Sequence, residues 1–146
     1  MRSLALGAVV AFAVAGSWCA SEGDAALGDR IANKVAKDRG LLRMAALTDF
    51  QWERLHIFTP YSSWDTIEAE LGFAWPEGRR LHLEEREDIC LLAFVESSRV
   101  VRYVAQHRRR GDFSGLHRKV GYARDDAVFR IDRSQGWPRI VFAGAG

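Results

Sequence analysis

The stretch from Phe50 to Trp75 constrains this chain more than any other, because it spells a strand, a corner and a capped helix in succession. Leu55-His56-Ile57-Phe58 is rich in β-favouring residues, with Leu55 and Ile57 on one face, and predicts a strand. Pro60 stops it, since proline cannot donate to a ladder. Ser62 then opens a helix, and Asp65 three positions on approximates a capping box. Trp64, Ile67 and Leu71 make one apolar stripe along that helix. Gly72 suits the left-handed position just past its end, which turns Phe73 back towards Ile67. The stretch holds three of the five tryptophans. Most of it is explained as a packing joint between helix and sheet. Tyr61 and Trp75 are the two aromatic members left as candidates for ligand contact.

Upstream, the first residues carry a different message. Arg2 provides a positive start, Leu4 to Phe12 is an unbroken run of apolar and small residues, and Ala13-Val14-Ala15-Gly16-Ser17 follows. That three-part order predicts a secretory signal peptide over residues 1–20, with cleavage between 15 and 20. The run is short for a membrane span. A buried N-terminal helix or an uncleaved anchor is the competing interpretation. Removing Arg2 from the 21 basic residues leaves the mature chain close to balance with its 19 acidic ones. The expected location is therefore periplasmic or secreted. Trp18 stands directly before Cys19, and a bulky indole there does not suit lipid attachment.

Residues 24–146 are expected to form a single domain. Asp24 caps a helix in which Leu27, Ile31, Val35 and Leu42 recur at roughly helical spacing. Gly40 weakens its middle, and Leu41 to Leu47 resumes helical composition. A basic amphipathic helix can lie on a membrane, but this apolar face is narrow and lacks aromatics, so packing on the domain's own sheet is expected. Leu81 and Leu83 alternate with polar neighbours and predict a half-buried strand. Ile89 to Val95 is almost wholly apolar and predicts a central strand covered on both faces. Glu96-Ser97-Ser98-Arg99 turns the chain into a returning strand, Val100 to Gln106. Ala127–Asp132 and Arg139–Phe142 supply two more strands. The sum is an α+β fold: an antiparallel sheet of about five or six strands, with one long N-terminal helix and one short capped helix packed on it.

With these residues in view, Phe-x-Trp-x-x-Leu-x-Ile-Phe-x-Pro-Tyr, then Ile67 and Leu71-Gly72-Phe73, then Leu-Leu-x-Phe-Val returning through Val-Val-x-Tyr-Val, the chain resembles a group of small secreted or lipid-anchored bacterial proteins without an assigned function. The resemblance spans roughly Phe50 to Phe129. It implies an exported single-domain protein and brings no catalytic residues with it. The surroundings of Cys19 depart from the lipid-anchored members.

Motifs of chemistry are sparse. His56, His82, His107 and His117 form no H-x-x-x-H or H-E-x-x-H pair, and Cys19 and Cys90 no C-x-x-C. No metal site and no cofactor are predicted. Cys90 lies in an apolar run and reads as a small buried hydrophobe. A Cys19–Cys90 bridge requires that Cys19 survive cleavage in an oxidising compartment. No G-x-S-x-G elbow or P-loop occurs. The acidic pairs Glu84-Glu85, Glu87-Asp88 and Asp125-Asp126 sit on loops, where nothing makes them converge as a glycosidase requires. No catalytic residue is assigned.

Positive charge is the strongest local signal. Arg102, Arg108, Arg109, Arg110, Arg118 and Lys119 cluster around one loop, and guanidinium forks match carboxylate and phosphate geometry. Export disfavours nucleic acid as the partner. Anionic lipid, lipopolysaccharide or an acidic protein surface suits the compartment. A solvated loop balanced by Glu84–Asp88 is the plain alternative. The expected function is thus an exported envelope protein that binds a partner or anionic ligand through this loop. Two alternatives remain. One is a small hydrolase assembled in three dimensions from His56 or His107 with a distant carboxylate. The other is an assembly module that pairs through a sheet edge such as Arg139–Phe142.

Overall fold

The computed structural model describes residues 23–144, and its middle layer is built around strand β3, Ile89–Glu96. Seven of its eight residues are buried, as a strand covered on both faces requires. It pairs antiparallel with β2 (Arg54–Phe58) on one side and β4 (Arg99–His107) on the other. The two-residue strand β5 (Tyr122–Ala123) extends the sheet to the order β4-β3-β2-β5. Ser97 turns the β3–β4 hairpin at φ 53°, a left-handed conformation taken here without glycine.

Alternation along β3 divides the core in two. Cys90, Leu92 and Phe94 enter one cluster with Leu27, Ile31 and Val35 of helix α1 (Ala25–Lys37). Leu42, Phe129 and Ile140 join it from a second, three-stranded sheet. That sheet comprises β1 (Leu41–Arg43), β6 (Val128–Asp132) and β7 (Arg139–Phe142), in the order β1-β6-β7. Ile89, Leu91 and Ala93 enter the other cluster, with Phe58 and with Trp64 and Ile67 of helix α3 (Trp64–Leu71). Each large apolar side chain fully withdrawn from water contributes about 1.5–3 kcal/mol before entropy is counted. The architecture is α+β with antiparallel sheets, as the pattern of elements predicts.

Several details differ from expectation. Among the described residues there are seven strands in two sheets, where one sheet of about five or six was expected. The N-terminal helix stops at Lys37. Asp38 closes it, its carboxylate accepting from the Gly40 N–H (2.8 Å) and pairing with Lys34. Leu41–Arg43 then pairs with β6, burying Leu42, so only Met44–Leu47 (α2) returns to helix. Ser63, not Ser62, caps α3, accepting from the Thr66 N–H. Gly72 takes the left-handed cap at φ 82° as predicted. The expected strand through Leu81 and Leu83 is two short 3-10 turns, Gly78–Leu81 and Leu83–Glu85. His82 between them stands at φ 50°, so both leucines turn inward through a kink that mimics strand alternation.

The outer edge of β7 is occupied where it begins. Asp112 donates its N–H to the Pro138 carbonyl and accepts from the Ile140 N–H, both at 2.9 Å. The signal peptide expected over residues 1–20, its cleavage and the state of Cys19 lie outside the described residues. Among the described residues no helix is long and apolar enough to cross a membrane.

Candidate functional site

The open end of the β3–β4 hairpin leads into a cleft. Ile89 pairs with His107, so the residues just outside that pair, Asp88 and Arg108, are brought together; the Arg108 N–H donates to the Asp88 carbonyl at 2.9 Å. Arg108–Arg110 then forms a 3-10 turn. Trp137 reaches the same place from the β6–β7 connection, where Gly136 turns the chain at φ 72°. Glu87, Asp88, His107, Arg108, Arg109 and Trp137 line a cleft of about 460 Å³. That lies within the size range that takes small organic ligands.

The charges in this cleft are unequal in standing. Arg108 is tied down: Nε and Nη2 reach the two carboxylate oxygens of Asp112 at 3.2 and 3.1 Å, and Nη1 donates to the Glu87 carbonyl at 3.2 Å. Asp112 is only 5% exposed. Burial pushes its carboxyl up, but hydrogen bonds from Arg108 and the Ser114 N–H outweigh this and hold it below the usual carboxylate range. Asp88 is likewise held low, first by its hydrogen bonds from Arg86 at 2.7 and 3.0 Å. His107 Nδ1 lies 3.6 Å from Asp88. Arg109 is exposed, and among the described residues no carboxylate pairs with it. Its guanidinium stands 5.9 Å from the centre of the Trp137 ring, with that of Arg108 at 5.5 Å. Trp137 keeps 41% of its surface in solvent. Glu87 accepts a hydrogen bond from the neutral Tyr61 hydroxyl at 3.2 Å; it lies in the field of Arg108 but makes no ion pair with a cation among the described residues.

The predicted basic loop is therefore dispersed. Arg108 and Arg109 meet in the cleft, and Tyr61, 59% exposed at φ 64°, joins its rim through Glu87. Arg110 pairs with Asp29 of α1 at 2.8 Å. Arg102 lies over Phe50 and 3.8 Å from Asp24. Arg118 stacks on Tyr122 and Phe142 at 4.2 and 4.7 Å, with Lys119 exposed beside it. Trp75 is a core residue: 4% exposed, it packs edge-on against Trp64 and Tyr103. Its expected role in ligand contact is replaced by a structural one. Gly78 lets the chain pass over its ring, since a Cβ there would lie 2.5 Å from it.

Glu87, Asp88, His107 and Trp137 are the cleft residues that residue patterns did not single out as ligand contacts. An aromatic residue between Gly136 and Pro138, in a polar turn with no stripe to join, was the available signal for Trp137. Elsewhere, His117 Nε2 contacts both Glu70 carboxylate oxygens at 2.9 and 3.1 Å. His56 is 5% exposed, and its Nδ1 has no hydrogen-bond partner among the described residues. The cleft lining carries no hydroxyl or thiol to act as a nucleophile. Cys90 is a free thiol buried in the core, pushed up to about 12 by burial. Among the described residues, no group of three or more His, Cys, Asp or Glu side chains could hold a metal ion.

No family model matches the chain, and no curated protein or solved structure matches it.

Proposed function

We propose that this chain is an exported binding protein of the bacterial envelope that holds a small anionic group in the cleft beside Trp137. The observation that carries the proposal is Arg109, a guanidinium without a carboxylate partner laid over an exposed indole at the wall of a ligand-sized cavity. Stacking on an indole restricts the side chain while its N–H edge stays available for a carboxylate or phosphate. Arg108 contributes field and shape, since its donors are already engaged by Asp112 and Glu87. Export rests on the order of Arg2, the apolar run from Leu4 and the small residues that follow.

Intrinsic fluorescence provides the test. Titrating acetate and inorganic phosphate into the protein at low ionic strength should give a saturable change that Trp137→Phe removes. Arg109→Ala should weaken binding, and added salt should weaken it in the wild type. Vesicles of phosphatidylglycerol compared with phosphatidylcholine would show whether the anion belongs to a lipid headgroup. If neither small anions nor anionic vesicles give an Arg109-dependent signal, the reading is wrong.

A further inference from the structure

Two charges of the cleft, one of each sign, form no ion pair among the described residues. Asp88 is satisfied by two hydrogen bonds from Arg86, and Arg108 by two to Asp112. His107 lies beside Asp88 at 3.6 Å, so what remains is one cation, Arg109, and one anion, Glu87, lining the same cavity. These two side chains make no contact with each other that would cancel them: Arg109 lies over Trp137, and Glu87 is held by the Tyr61 hydroxyl. Tyr61 adopts φ 64°, unusual for a non-glycine residue, and its N–H donates to the carbonyls of Leu83 (3.1 Å) and Arg86 (3.2 Å). The hydroxyl that orients Glu87 is thus supplied by a residue whose backbone is anchored at both carbonyls. A purely anionic ligand would meet repulsion from Glu87, and a purely cationic one from Arg109.

We propose that the cleft takes a zwitterion, an α-amino acid or the end of a short peptide, with its carboxylate on Arg109 and its ammonium on Glu87. This rests on the cleft being the anion site proposed above, and it names the chemical class of the ligand. The exposed face of Trp137 gives an apolar side chain a surface to lie on. Exposed charge pairs are individually weak, so selectivity comes from requiring both.

Calorimetric titration of the full domain with L-leucine, N-acetyl-L-leucine and L-leucinamide separates the cases. N-acetylation removes the ammonium, and amidation removes the carboxylate. Leucine should bind about fivefold or more tighter than either derivative. Glu87→Gln, which keeps a partner for the Tyr61 hydroxyl, should close the gap between leucine and N-acetyl-leucine. Arg109→Ala should close the gap between leucine and leucinamide. If N-acetyl-leucine binds as well as leucine, the zwitterion inference is overturned while the anion site stands. If leucinamide binds best, or if no ligand binds, both the inference and the anion site fall.

Discussion

Cys90 and His56 show what burial does to titratable side chains on the middle sheet. Cys90 is fully buried among Leu92, Phe94 and the α1 residues, and its thiol is pushed up to about 12 by burial. Thiolate is the reactive form, so the native protein should resist iodoacetamide at pH 8 and react at Cys90 only once unfolded in urea. Rapid alkylation of native Cys90, located by mass spectrometry of the peptides, would contradict this burial. His56 behaves in the opposite sense. Burial, with Arg54 nearby, lowers its imidazole below the ordinary value of 6.5. The unfolded chain therefore takes up a proton that the folded chain refuses. This contribution to stability is complete above about pH 6.5 and drains away as pH falls through that value towards the folded one. The urea midpoint should fall between pH 7.5 and pH 5 in the wild type, and fall less in His56→Phe. Phenylalanine keeps the stacking on Phe58 (5.9 Å between ring centres) and removes both the titration and the unpartnered Nδ1. Equal slopes in the two proteins would place the acid sensitivity elsewhere.

Helix α3 depends on its ends, because eight residues hold few internal hydrogen bonds and isolated short helices are marginal. Ser63 satisfies the Thr66 N–H, and Gly72 closes the other end with its N–H on the Glu68 carbonyl at 2.9 Å. Ser63→Ala should cost about 1 kcal/mol in urea unfolding. Ser62→Ala should cost less, since the Ser62 hydroxyl donates to the Thr59 carbonyl and caps nothing in the helix. The reverse ranking would restore Ser62 as the cap. Elements of this kind were legible in the sequence to within a residue or two, because their signals are local: an apolar run for β3, a β-branched return for β4, a cap and a glycine for α3. Those that failed depend on distant partners. Leu41–Arg43 carries helix-favouring residues, yet its backbone pairs with Val128 to Arg130, and that tertiary pairing overrides propensity. Leu81 and Leu83 alternate like a strand, but left-handed His82 and the close passage over Trp75 produce the same inward spacing from turns.

Across the whole molecule, the cleft was half visible for the same reason. Arg108 and Arg109 stood out as charge, whereas their union with Glu87 and Trp137 needs the β3–β4 hairpin to bring together the Asp88 and Arg108 backbones and the β6–β7 turn to fold across them. The hairpin that makes the cleft also joins the two cores, since β3 gives alternate side chains to each. Both cores rest on the backbone of this one strand, so disordering β3 empties both. This predicts one cooperative unit. Leu91 and Leu92 are adjacent, fully buried and on opposite faces, so Leu91→Ala and Leu92→Ala remove packing from the α3 side and the α1 side separately. Each should cost about 2–5 kcal/mol. Each should also lower the midpoint of a single transition, with tryptophan fluorescence and far-UV circular dichroism coinciding. Trp64 and Trp75 report the α3 face and Trp52 the other, so fluorescence senses both. A fluorescence change in Leu91→Ala that precedes the loss of far-UV signal would mean that the α3 layer unfolds by itself, and that β3 does not bind the two cores into one.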